Sequence, residues 1–159
     1  MTTAEPASPP AMDFDAIRDG LSQAVPLVRT LGLEYLELSA DRALLRLPDR
    51  TDLHNHVGGP HAGAMFTLGE SATGAVVIGS FADLLDRFTP LAAEAKIRYR
   101  ALAMGPVTAE ARLSRPGADI RADLDTAGKA RFDVDVVIRD EAGTTTGEMT
   151  VSWALRPNS

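Results

Sequence analysis

His54-Asn55-His56-Val57-Gly58-Gly59-Pro60-His61-Ala62-Gly63 runs straight into Ala64-Met65-Phe66-Thr67-Leu68-Gly69-Glu70 and on through Ala75-Val76-Val77-Ile78 to Phe81. A loop rich in glycine and histidine therefore opens onto a long apolar run, and the run predicts a helix from Ala64 to about Leu85. From Gly58 to Phe81 the stretch has the length of a membrane span. Glu70 stands near its middle, however, and seven glycine or proline residues punctuate it. A central carboxylate is costly in lipid. The stretch reads as a core helix, and a helix apolar almost all round must be covered on every side by protein.

The flanking sequence predicts what covers it. Upstream, Asp13 is placed to cap a helix whose apolar face is Phe14, Ile17, Leu21, Val25 and Val28. Pro26 splits that helix and Gly32 ends it. Leu33–Leu38 and Arg42–Leu47 read as two short strands. Downstream of Pro90 the period becomes two. Ile97 and Tyr99 alternate with Lys96, Arg98 and Arg100; Val107, Ala109, Ala111 and Leu113 follow. A connection from Pro116 to Gly128 has room for one helical turn at Asp119–Leu124. Phe132, Val134, Val136 and Ile138, then Met149, Val151, Trp153 and Leu155, complete the set. Clean alternation means one buried and one wet face, which suits antiparallel strands. The expected fold is α+β: a curved antiparallel sheet wrapped around one long central helix. Such a wrap leaves the helix open along one seam, so a homodimer is expected, with a homotetramer as the further possibility.

The chain has 159 residues, 45% of them hydrophobic and 24% charged, a composition that supports one globular domain with its own core. Residues 1–12 read as a disordered lead and 13–159 as that domain. Met1–Pro10 has neither a basic nor an apolar segment of the secretory kind. A net charge of −6 argues against nucleic acid or an anionic membrane as partner. With no cysteine, disulfide, zinc-thiolate and thiol-nucleophile chemistry are excluded, and a reducing, cytoplasmic location fits.

Asn55, Gly58, His61, Gly63 and Glu70 form a spaced set: Asn six residues before His, and a carboxylate nine after it. The set resembles the active-site signature of hotdog-fold acyl-CoA thioesterases of the phenylacetate-pathway, PaaI-like type. The order of elements matches over roughly residues 32–155. The resemblance implies a hotdog fold, hydrolysis of acyl-CoA thioesters, composite sites across a dimer, and no cofactor beyond the coenzyme A of the substrate. Three departures stand out. Ala62 occupies a position where glycine is common. The acid is Glu rather than Asp. Leu91-Ala92-Ala93 stands where many relatives carry a water-holding hydroxyl; Thr89, Ser71 and Thr73 are the remaining candidates.

The residues make chemical sense without the family. A helix start offers unpaired N–H groups and partial positive charge, so the amides of Ala62 and Gly63 are candidate oxyanion donors. Asn55 can orient a carbonyl or the attacking water, and His61 can hold the loop in shape. Glu70 is the candidate general base, or a nucleophile acting through an anhydride. Ala62 and Glu70 lie about 12 Å apart along one helix, too far to share a carbonyl. Two antiparallel helices would bring Glu70 of one copy opposite Ala62 of the other. Gly58, Thr67, Arg98 and Arg100 are the candidate substrate contacts, the arginines toward phosphate. The plainer reading of Arg100 is a cross-strand pair with Glu110. His54, His56 and His61 are all the histidines, but His-x-His in a loop is a weak metal signal, and no metal site is expected. Two competitors share the fold: a non-catalytic acyl-CoA-binding protein, which needs no acid in the helix, and a hydratase, which pairs its acid with a nearby His.

Overall fold

The computed structural model describes residues 12–159; the expected N-terminal lead, Met12 apart, lies outside the described residues. The Asp13 carboxylate accepts from the Ala16 N–H at 3.0 Å and starts α1, Phe14–Ala24. Val25 is extended, as a residue before proline prefers, and Pro26 opens α2, Pro26–Leu31. Gly32 closes α2 in the left-handed region, with φ +67°.

Two strands, β1 (Glu34–Leu38) and β2 (Arg42–Leu47), lead through the loop to α3, Ala62–Phe81. A single 3-10 turn, Ala82–Leu84, extends it. Then come β3 (Phe88–Tyr99), β4 (Val107–Leu113), α4 (Gly117–Ala127), β5 (Ala130–Asp140) and β6 (Thr145–Pro157). The six strands form one sheet in the order β1-β2-β4-β5-β6-β3, and every neighbouring pair is antiparallel.

The sheet curves over α3, which lies mainly against β2, β4 and β5. Ala43, Ala109 and Ala111 are fully buried on those strands, and their small side chains let the helix come close. Leu68, Val76, Val77 and Phe81 fill the space between, each fully buried and each contributing about 2 kcal/mol. α3 is the one helix among the described residues long and apolar enough to cross a membrane, and most of it is buried in this core.

Two expectations are corrected here. The connection after β4 holds an eleven-residue helix, not one turn. Only Ile120 and Leu124 of α4 are buried, too few apolar positions to show a helical period. The helix is held from outside: Arg121 donates to both Asp83 oxygens at 2.8 and 2.9 Å and to the Ser80 carbonyl at 2.9 Å. Second, Arg100 does not pair with Glu110. β5 and β6 lie between β3 and β4, so Arg100 binds Glu148 on β6 at 2.6 Å. Glu110 takes Arg42 at 2.8 Å and Arg112 at 3.1 Å.

β3 is an edge strand and differs from the interior ones. Most of its residues are exposed on both faces, and a bulge falls between Ala92 and Glu94. Pro90 is tolerated because an edge strand has one side free of ladder bonds.

Candidate active site

Asn55 organises the loop before α3. Its side-chain oxygen accepts from the Val57 and Gly59 N–H groups at 3.0 and 3.1 Å, and its amide nitrogen donates to the Pro60 carbonyl at 3.4 Å. Its backbone N–H donates to the Gly59 carbonyl at 2.8 Å. Both ends of the amide are thus spent inside the loop. Gly58 takes φ +82°, which its place in this turn requires. Gly59 needs its missing side chain for another reason: a Cβ there would run into the Ala103 carbonyl oxygen. The loop is therefore pressed against the segment after β3.

His61 caps α3. Its Nδ1 accepts from the Gly63 N–H at 2.9 Å, and its carbonyl accepts from Met65 at 3.0 Å. The amide of Gly63 is thereby occupied. The amides of Ala62 and Ala64 have no partner among the described residues. Tyr99, at the end of β3, donates its hydroxyl to the Ala62 carbonyl at 2.8 Å and so anchors the first residue of the helix. Asn55, Ala62, Tyr99 and Arg100 border an open groove of about 450 Å³. Ala62 brings to its border the first residue of α3, with a free N–H at the positive end of a helix dipole, suited to an oxygen that gains negative charge.

Glu70 lies two turns further on and faces a different cavity. This second pocket, about 280 Å³, lies between α1–α2 and α3, and Tyr35, Gly74 and Trp153 also line it. The Glu70 carboxylate has no hydrogen-bond or ion-pair partner among the described residues. Burial among apolar side chains raises its pKa above the ordinary carboxylate value. The Tyr35 hydroxyl is pushed up to about 12, by burial first and by the nearby Glu70 charge second. Thr73 donates to the Glu70 carbonyl at 2.7 Å and accepts from Trp153 Nε1 at 3.0 Å, which fixes the indole beside the pocket.

The structure thus brings Asn55, His61, Ala62 and Gly63 together and leaves Glu70 apart from them within one chain. Thr67 donates to the Gly63 carbonyl at 3.0 Å, one turn into the helix. Arg98 and Arg100 lie with Lys96, Asp135 and Glu148 in a groove on the sheet. His54 sits 2.6 Å from Asp49, a carboxylate that spacing alone does not associate with it. Sequence reasoning gives Tyr35 and Trp153 no part in the site. Trp153 carries one usable signal, as the single tryptophan in a strand of smaller residues; Tyr35 carries none.

Comparison with known proteins places the fold. A family model described as "Domain of unknown function (DUF4442)" matches residues 15–155. No curated protein matches the sequence. Among solved structures, PA5026 from Pseudomonas aeruginosa, described as a protein of unknown function and "Probable Thioesterase", is 29% identical with a TM-score of 0.82, covering 92% of this chain and 97% of its own. A mutant of thioesterase PA1618 from the same organism is 19% identical, with a TM-score of 0.74 over 94% of this chain and 97% of its own. The PaaI protein of the E. coli phenylacetic acid degradation operon is 13% identical, with a TM-score of 0.72 over 92% of this chain and 94% of its own. At such identities the last two likenesses speak for the fold alone. The fold is the hotdog, as the sequence resemblance implied.

Proposed function

The chain belongs to the DUF4442 family, and from its site we propose that it hydrolyses acyl-CoA thioesters. The observation that supports this most is Glu70: a carboxylate without a partner among the described residues, held in an apolar pocket by a helix whose start presents free amides. A half-buried carboxylate with apolar neighbours and no such partner is held in its neutral form more readily than a solvated one, which suits a group that takes and returns a proton. The likeness to PA5026 points the same way.

In this reading the thioester carbonyl oxygen accepts from the Ala62 N–H, with Gly63 available only if His61 releases it. Glu70 of a second copy, related by a two-fold axis, faces the carbonyl carbon. As general base it takes a proton from water while the water oxygen bonds to that carbon. The tetrahedral intermediate then collapses, expels the coenzyme A thiolate, and the thiolate takes up the proton. As nucleophile, Glu70 bonds to the carbon itself, the thiolate leaves, and water cleaves the resulting anhydride. Either route consumes one water and releases acid and thiol. Asn55 serves by shaping the loop, and the chemistry draws on no group beyond the substrate's coenzyme A.

A panel of short, medium, long and aryl acyl-CoA substrates, followed with a thiol-detecting reagent, tests the proposal. Glu70→Ala is expected to lower turnover by about 100-fold or more, roughly 2.7 kcal/mol of transition-state stabilisation, while it remains folded. Saturable binding of an acyl-CoA without any turnover by the native protein would overturn the hydrolase and favour the non-catalytic binding protein.

A further inference from the structure

We propose that the pocket beside Glu70 receives an aliphatic acyl chain of medium length, and that Gly74 sets the length it accepts. The inference deepens the thioester-hydrolase reading and rests on it for the position of the reacting carbonyl.

Three observations lead to it. First, the amphipathic helix α1 buries none of its residues, although its apolar stripe is well formed. Leu21 from that stripe, half-buried against the margin of the core, lines the pocket together with the exposed Val25 and the buried Val28. The helix pair thus forms an aliphatic wall with space behind it.

Second, the polar groups facing this space belong to Glu70, Ser71 and Tyr35. The indole N–H of Trp153 is already given to Thr73. An aliphatic chain extending past Glu70 therefore strands no indole donor. At about 280 Å³, roughly nine times the ~30 Å³ that one water molecule takes up in the liquid, the pocket has the space of a medium-length chain.

Third, Gly74 opens the helix surface where the pocket meets Trp153. A Cβ placed there would lie 3.7 Å from Trp153 Cζ2 and 3.8 Å from Cη2, ordinary contact distances. Alanine therefore fits without displacing the ring, yet its methyl fills space a chain would use. Alanine is also the better helix former, so this variant folds and reports on the pocket alone. Only these two ring atoms come within 4 Å, so position 74 meets the indole at its edge.

Trp153 is the only tryptophan in the chain, so its emission reads the pocket directly. The probes are the thioethers S-octyl-, S-ethyl- and S-benzyl-coenzyme A, which have no carbonyl to hydrolyse. S-Octyl-coenzyme A is expected to shift Trp153 emission saturably and to bind more tightly than the other two. Gly74→Ala is expected to reduce the octyl-over-ethyl preference by about tenfold, and Leu21→Ala to move the preference toward dodecyl. No emission change with any probe, preference for the benzyl compound, or equal weakening of octyl and ethyl by Gly74→Ala would each overturn the proposal. Octanoyl-CoA turnover is measured in parallel. Length-selective binding without turnover leaves the pocket standing and removes the hydrolase. Turnover blind to the Gly74→Ala change removes the pocket and leaves the hydrolase.

Discussion

At Ala62 one N–H group carries the electrophilic half of the proposed chemistry, because the next amide is already given to His61. Proline removes that N–H and nothing else the helix needs. The first helical position tolerates proline, and His61 is already extended, at φ −61° and ψ 140°, as a residue before proline must be. Ala62→Pro is expected to lower kcat by about 10²- to 10³-fold while circular dichroism and Tm stay near native. Glu70 makes the complementary statement in pH. Its pKa is raised in the fold by burial, so ionising it costs the folded state more than the unfolded chain. Its share of stability is complete below the ordinary carboxylate range and is lost as pH rises through the raised value. Glu70→Gln is therefore expected to match native Tm near pH 4 and to exceed it near pH 7, in thermal melts at both. The acidic limb of native kcat/KM should sit above the ordinary glutamate range and be absent from that variant. Asn55 and His61 are visible in the sequence as a motif. That Asn55 spends its amide within the loop is not, since the same residue at the same spacing serves a substrate equally well.

Among the elements, α3 and β6 are joined by a bond that links the helix around Glu70 to the wall of its pocket. Thr73 stands one turn past Glu70 and accepts from Trp153. Thr73→Val keeps the volume and strands a buried indole N–H, at an expected cost of about 1–3 kcal/mol. Urea denaturation followed by Trp153 emission measures it; a change below the error of the fit would mean that water replaces the bond. The long helix and the alternating strands are legible because their periods are strong. α4 reads as a single turn because it buries only Ile120 and Leu124, and Arg121 anchors it to Asp83, a residue far off in sequence. The partner of Arg100 is hidden for the same reason. Alternation shows which side chains share a face, but only the strand order shows which strand lies beside it.

For the molecule as a whole, the two halves of the proposed site occupy separate cavities of one chain. β3 is an exposed edge, with Leu91 and Tyr99 about half exposed. Both features call for a second copy. Sedimentation is expected to show a dimer. Ala62→Pro mixed with Glu70→Gln, after exchange of subunits, is expected to regain about a quarter of native activity. Random pairing makes half of the dimers mixed, and each of those has one intact site of two. Mixtures no more active than their parents would place both groups in the service of one chain.

Local sequence is enough to specify the central helix, the alternating strands that cover it and the Asn–His–Glu spacing, because periodicity and turn chemistry are written residue by residue. Folding in three dimensions settles the rest: which strands are neighbours, that Asn55 and Gly63 are occupied within the loop, and that Glu70 opens on a pocket walled by Tyr35 and Trp153 from distant strands. Those contacts depend on how the sheet curves over the helix. That curvature follows from the packing of all the layers together, and no short stretch of chain contains it.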